Sequence, residues 1–226
     1  MCGRYSFSTS KEKIKEQLPE IETGENLRNS FNIAPTQHAY VITNNKPDKL
    51  QYFTWGLVPY WSRDGKNSGK LINARSEGIE VKPSFRVPIR QRRCVVLADS
   101  FYEWRRIGKN KVPYRIFLKD GKLLEMAGVF DIWQKGNLGH RSFSIITISP
   151  NQEMSSLHSR MPVIFENGED RNKWLDSNLP LEEALSLLKT PSNDILKYYR
   201  VSEKLNSPKN NSADLHQELP ELPSLF

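Results

Sequence analysis

Apolar and polar residues alternate along HAYVITN (38–44) and KLQYFTW (49–55), and the NNKPD between them supplies turn residues, which predicts a hairpin. CVVLAD (94–99) and FYEW (101–104) read as further strands, followed by a turn at IGKN. PYRIFL (113–118) and LLEMAGVF (123–130) flank KDGK, whose Asp-Gly pair signals a second hairpin. In RSFSIITIS (141–149) the adjacent Ile145 and Ile146 interrupt the alternation and predict burial on both faces. ILKYYRVS (195–202) reads as a late return to the sheet.

Helical periodicity is confined to short stretches. In TSKEKIKEQL (9–18), Thr9 is placed to cap a helix with Glu12 completing a capping box. Ile14 and Leu18 share one face, and Pro19 stops the helix. GEDRNKWLDS and LEEALSLLK read as two more short amphipathic helices. Many strands with few, irregularly placed helices predict an α+β fold with a mostly antiparallel, barrel-like β-sheet and short flanking helices. No internal repeat or boundary divides residues 1–205, which read as one domain. From Asn206 the chain turns rich in Asn, Ser, Pro and acidic residues, and residues 206–226 are expected as an extended or disordered tail.

Composition narrows the class. The 226 residues contain 37% hydrophobic and 26% charged side chains, enough apolar mass for a substantial core. No stretch reaches the ~20 apolar residues of a membrane span, and no basic segment precedes an apolar run at the start. A soluble, cytoplasmic protein without membrane contact is expected. The two cysteines differ. Cys94 lies in an apolar strand-like run and reads as a small core residue, whereas Cys2 has no such setting. Thirty-three basic against 26 acidic residues give a net charge of +7. Arginines cluster in FRVPIRQRR (85–93) and in WRR (104–106). Such a surface suits phosphate backbones, although a solvated charged face gives the same composition.

Candidate chemistry is carried by clusters. There is no phosphate-binding glycine loop, no CxxC and no pair of histidines at ligand spacing, so neither a metal nor a cofactor is expected. WGLVPYW (55–61), LINARSE (71–77), DSFYEW (99–104) and SLHSRMP (156–162) set polar groups among aromatic and apolar ones. Each has a plain reading: Glu103 as an outward strand residue near Arg105 or Arg106, Asn73 as a turn residue, Trp61 as core, Arg75 and Arg160 as surface charges. A carboxylate between Tyr102 and Trp104 also fits an acid or base with a raised pKa.

Taken together, MCGRY at the start, FNIAPTQ (31–37), WGLVPYW, INARSE, CVVLADSFYEW and LHSRMPV resemble the SRAP family (SOS response-associated peptidase), from Cys2 to about Val201. That family includes bacterial abasic-site shield proteins and a eukaryotic counterpart first described as a 5-hydroxymethylcytosine binder.

The resemblance implies a covalent crosslink to abasic sites in single-stranded DNA, made by a monomer associated with DNA. Removal of Met1 turns Cys2 into a 1,2-aminothiol. Its amine condenses with the open-chain aldehyde of the abasic sugar, and its thiol closes a thiazolidine on the imine carbon. An internal cysteine has no such amine, and a serine closes a less stable ring. An α-amine of about 7.7–8.0 and a thiol of about 8.5 suit this near neutral pH. By the same resemblance Asn73 positions Cys2, Glu103 is the general acid/base, and His158 is a second proton-transfer group. Arg4, Arg75 and Arg160 meet phosphates, Trp61 offers a stacking platform, and Pro35 and Thr147 are further DNA contacts. Ser62 stands where some members carry a second aromatic. The imine allows a lyase side reaction, and the family name implies self-removal of Met1. Two other classes remain at this point: an amidohydrolase with an N-terminal cysteine nucleophile, and a binding module for single-stranded or modified DNA that does no chemistry.

Overall fold

The computed structural model describes residues 2–66 and 69–221. Its strands and helices in chain order are β1 (Tyr5–Phe7), α1 (Lys11–Gln17), β2 (Ser30–Ile33), β3 (His38–Thr43), β4 (Lys46–Trp55), β5 (Asn73–Arg75), α2 (Pro88–Gln91), β6 (Arg93–Ala98), β7 (Ser100–Ile107), β8 (Asn110–Leu118), β9 (Leu124–Lys135), β10 (Leu138–Ile148), α3 (Gln152–Ser155), β11 (Met161–Pro162), α4 (Gly168–Leu175), α5 (Leu181–Ser186) and β12 (Leu196–Arg200). Two short 3-10 turns, Glu203–Asn206 and Ala213–His216, follow. Among the described residues no helix is long and apolar enough to cross a membrane.

Strands β10, β4, β3, β6 and β9 pair in that order, and β9 pairs back to β10, which closes a five-stranded barrel. Closure removes both sheet edges. All pairings in the ring are antiparallel except β4 with β10. A second antiparallel sheet has the order β12-β8-β7-β1-β2. The α+β, barrel-like expectation therefore holds. The β3–β4 hairpin forms as expected, with Tyr40 opposite Tyr52 and Val41 opposite Gln51. Gly128 on β9 faces Cys94 on β6 and Ile145 on β10. A Cβ there would lie 2.9 Å from both Cys94 Sγ and the Ser144 carbonyl, so the close approach of three strands requires glycine.

Four local expectations are corrected. The cap of α1 is Ser10, whose hydroxyl accepts from the Lys13 N–H, while Thr9 is buried just before it. The KDGK turn does not make a hairpin: β8 pairs with β7 and β12, and β9 with β6 and β10. The Gln17 side chain holds Leu123 through both its N–H and its carbonyl, which draws the chain out of one sheet and into the barrel. The basic segment 85–93 is divided: Arg86 and Arg90 are exposed, whereas Arg92 and Arg93 are engaged within the protein. Arg93 is fully buried and donates to the carbonyls of Ile89, Arg90, Trp174 and Asp176, and Arg92 pairs with Asp131 at 2.5 Å.

Residues 206–221, expected as a loose tail, are docked. Leu205 and Leu215 are buried against Tyr102 and Val201. The buried amide of Asn32 donates to the carbonyls of Leu205, Ser207 and Asn210. Tyr114 donates to Glu221 at 2.6 Å. Two buried leucines at spacing ten and one asparagine hub anchor a segment whose composition alone reads as solvated.

Candidate active site

Within the second sheet β1 lies between β7 and β2. Tyr5 pairs with Phe101, and the Tyr102 N–H donates to the Arg4 carbonyl at 2.9 Å. This register brings the chain before Tyr5 alongside Glu103. On the barrel side, β10 acts as a spine: Ile145 faces Asn73, Thr147 faces Arg75 on one flank and Pro162 on the other. The strand pairings thus gather segments from both ends of the chain.

Cys2 is fully buried, contrary to its polar-looking sequence setting: it precedes β1, whose Tyr5 packs against the barrel's Trp55 with ring centres 4.9 Å apart. The Asn73 amide donates to the Cys2 carbonyl at 2.7 Å. Asn73 Oδ1 is buried and has no hydrogen-bond partner among the described residues. Burial pushes the Cys2 thiol well above the ordinary cysteine range, and the nearby Glu103 charge pushes it further. Glu103 is itself buried, and burial raises its pKa from 4.5 to about 7. It is buried in the protein rather than outward-facing. His158 follows the short helix α3. Its Nδ1 accepts the Arg160 N–H at 3.0 Å, so the neutral ring carries its proton on Nε2. Burial lowers its pKa and favours that neutral form.

Glu103 and His158 line one cavity of about 480 Å³ together with Trp104, Arg106, Lys111 and Asn206. None of the last four was among the expected site residues. Arg106 was read only as part of the basic WRR cluster and as a possible partner of Glu103, and Asn206 lay in the supposed tail. A larger cleft of about 780 Å³ around Glu125 and Arg171 contains none of the expected residues, and Arg171 is already paired with Glu20 and Glu125.

The expected DNA contacts are placed in different ways. Arg75 and Trp61 are exposed, Trp61 at 54%, and Pro35 is half-buried. Arg160 forms a two-pronged pair with Glu77 at 2.6 and 2.8 Å and also donates to the Thr147 carbonyl. Thr147 is fully buried and offers that carbonyl rather than an accessible hydroxyl. Arg4 donates to Asn32 Oδ1 and to the Leu205 carbonyl, both at 2.7 Å, with its guanidinium 5.8 Å from the Trp104 ring centre. Thus Arg4 and Arg160 are engaged within the protein, and Arg75 is the exposed one of the three.

The family model of SOS response associated peptidase (SRAP) matches residues 1–208. The chain belongs to the SRAP family. It is 41% identical over 226 residues to the abasic site processing protein YoqW of Bacillus subtilis, covering 95% of this chain and 98% of that one. It is 31% identical over 259 residues to abasic site processing protein HMCES of Gallus gallus, covering 95% and 76%. A crystal structure of a protein from Bacteroides thetaiotaomicron superimposes with a TM-score of 0.86 at 31% identity, covering 97% of this chain and all of that one. The family match therefore spans the barrel, the second sheet and the first 3-10 turn.

Proposed function

We propose that this SRAP protein processes abasic sites in single-stranded DNA by forming a covalent link through Cys2 once Met1 has been removed. The α-amine of Cys2 attacks the C1′ aldehyde of the ring-opened sugar. The carbinolamine loses water to give an imine, and the Cys2 sulfur then adds to the imine carbon while its proton passes to the nitrogen. A thiazolidine results, with one water released overall. Glu103, holding a proton up to about pH 7, opens the sugar ring and protonates the departing hydroxyl. Neutral His158, in the same cavity, donates from Nε2 to a sugar or phosphate oxygen and shares in proton transfer. Asn73 holds Cys2 through its carbonyl. Arg75 and Trp61 serve the flanking strand as phosphate contact and stacking platform. Breakage of the sugar–phosphate bond by β-elimination from the imine, and self-removal of Met1 at the same site, belong to the same reading.

The observation that carries it is the Asn73–Cys2 hydrogen bond beside a carboxyl buried enough to titrate near 7. A second chain residue with no chemistry needs no such fixing. The test is incubation with an oligonucleotide bearing one abasic site, followed by a denaturing gel. A heat-stable shifted band is expected, absent for Cys2→Ala. No band from protein that begins at Cys2 would refute the reading.

A further inference from the structure

Arg106 and Lys111 sit directly opposite each other on β7 and β8. Like charges in facing positions of an antiparallel pair destabilise it. The ion pairs among the described residues use other cations than these two. Both residues line the cavity that holds Glu103 and His158. The wall beside them is fixed from two sides. Trp104 donates its indole N–H to Asn206 Oδ1 at 2.8 Å, and the Arg4 guanidinium lies on its ring. Asn206 is in turn held by the segment that Asn32 anchors. Two facing cations at the rim of a cavity whose base is a buried carboxyl describe a place for an anion. That anion offsets the cross-strand repulsion, and the rigid Trp104–Asn206 wall limits how far it lies from Glu103.

We propose that Arg106 and Lys111 together hold one phosphodiester of the DNA strand, the one adjoining the abasic sugar, with the Trp104–Asn206 wall setting its position. This rests on the abasic-site reading above and adds a subsite to it. The docked C-terminal segment is then part of the substrate site, and Arg4 acts as a positioning residue for that wall.

The test uses binding, so that it does not depend on crosslinking. Full-length protein is titrated with a single-stranded oligonucleotide carrying a tetrahydrofuran abasic analogue, over a range of salt concentrations. Three proteins are compared: wild type, Arg106→Ala/Lys111→Ala, and Lys111→Arg. If the two cations share one phosphate, the slope of log K against log salt becomes shallower by about 0.7 in the double variant, the value for one single-strand phosphate. It stays at the wild-type value in Lys111→Arg. A neutral methylphosphonate placed on one side of the lesion weakens wild type, and it weakens the double variant no further. An unchanged slope in the double variant overturns the proposal. So does a methylphosphonate loss that multiplies with the mutational loss on both sides of the lesion. Failure of the abasic-site reading shows separately, as absence of a wild-type adduct with an aldehyde-bearing oligonucleotide.

Discussion

Asn73 and Cys2, 71 residues apart in the chain, are joined by a 2.7 Å hydrogen bond from the asparagine amide to the cysteine carbonyl. Three pairings make this possible: β5 along β10, β1 along β7, and Tyr5 against Trp55. The bond orients the residue that must present its nitrogen and sulfur to one carbon. Asn73→Ala is expected to slow adduct formation roughly tenfold to a hundredfold, the scale of a misplaced nucleophile. Affinity for a tetrahydrofuran oligonucleotide should change little. Single-turnover gels and anisotropy measure the two quantities, and an equal loss in both would make Asn73 a binding residue instead.

Glu103 predicts a specific pH dependence of stability. Its pKa is about 7 in the folded protein against 4.5 ordinarily, so the fold favours the protonated form. Its contribution is fully present below pH 4.5 and is lost as pH rises through 7. The loss is on the order of 3 kcal/mol. Glu103→Gln, which keeps the shape without the charge, should be less stable-to-pH-sensitive than wild type across this window and relatively more stable at pH 8. Urea unfolding at several pH values tests this. In the same variant the crosslinking rate should fall, and its inflection near pH 7 should vanish.

Asn32 ties the start of the chain to its end. Its carbonyl oxygen takes Arg4, and its amide serves three carbonyls of the C-terminal segment. Each buried group left unpaired costs about 1–3 kcal/mol. Asn32→Ala should therefore lower stability by roughly 3 kcal/mol or more. Protease cleavage should appear first within residues 203–221, read by mass spectrometry of the fragments. Intact resistance of that segment would show that Leu205 and Leu215 hold it unaided.

Gly128→Ala tests barrel closure. The new methyl would meet Cys94 Sγ and the Ser144 backbone at 2.9 Å, and backbone cannot yield as a side chain does. A loss of about 1–3 kcal/mol is expected. Gly139→Ala on β10 meets nothing within 4 Å and serves as the control, with little change in melting temperature.

Much of this architecture was legible in the sequence because it is local. The β3–β4 hairpin, the buried β10 and the helix at Lys11–Gln17 follow from periodicity and turn residues over about ten positions. What was not legible depends on partners far away in the chain. The Asp-Gly turn at 120–121 looked like a hairpin because turn chemistry does not reveal which sheet each flanking strand joins. Arg93 looked like a DNA-facing charge because nothing nearby in sequence shows the four carbonyls that surround it. Asn206 looked solvated because Trp104, which donates to its side chain, and Asn32, which holds the flanking carbonyls of Leu205 and Ser207, lie far away in the chain. In the site, Cys2, Asn73, Glu103 and His158 were singled out through motif resemblance. Trp104 ends the FYEW motif and Arg106 the WRR cluster, but that Arg106 and Lys111 share the cavity with Glu103 emerges only from strand register.

The central claim, a thiazolidine at Cys2, is tested most directly by intact mass spectrometry of the protein–oligonucleotide adduct formed without reductant. The account predicts a protein mass lacking Met1, an adduct equal to protein plus abasic oligonucleotide less one water, and fragmentation that places the link on Cys2. An adduct attached elsewhere, or one formed equally well by Cys2→Ala, would contradict it.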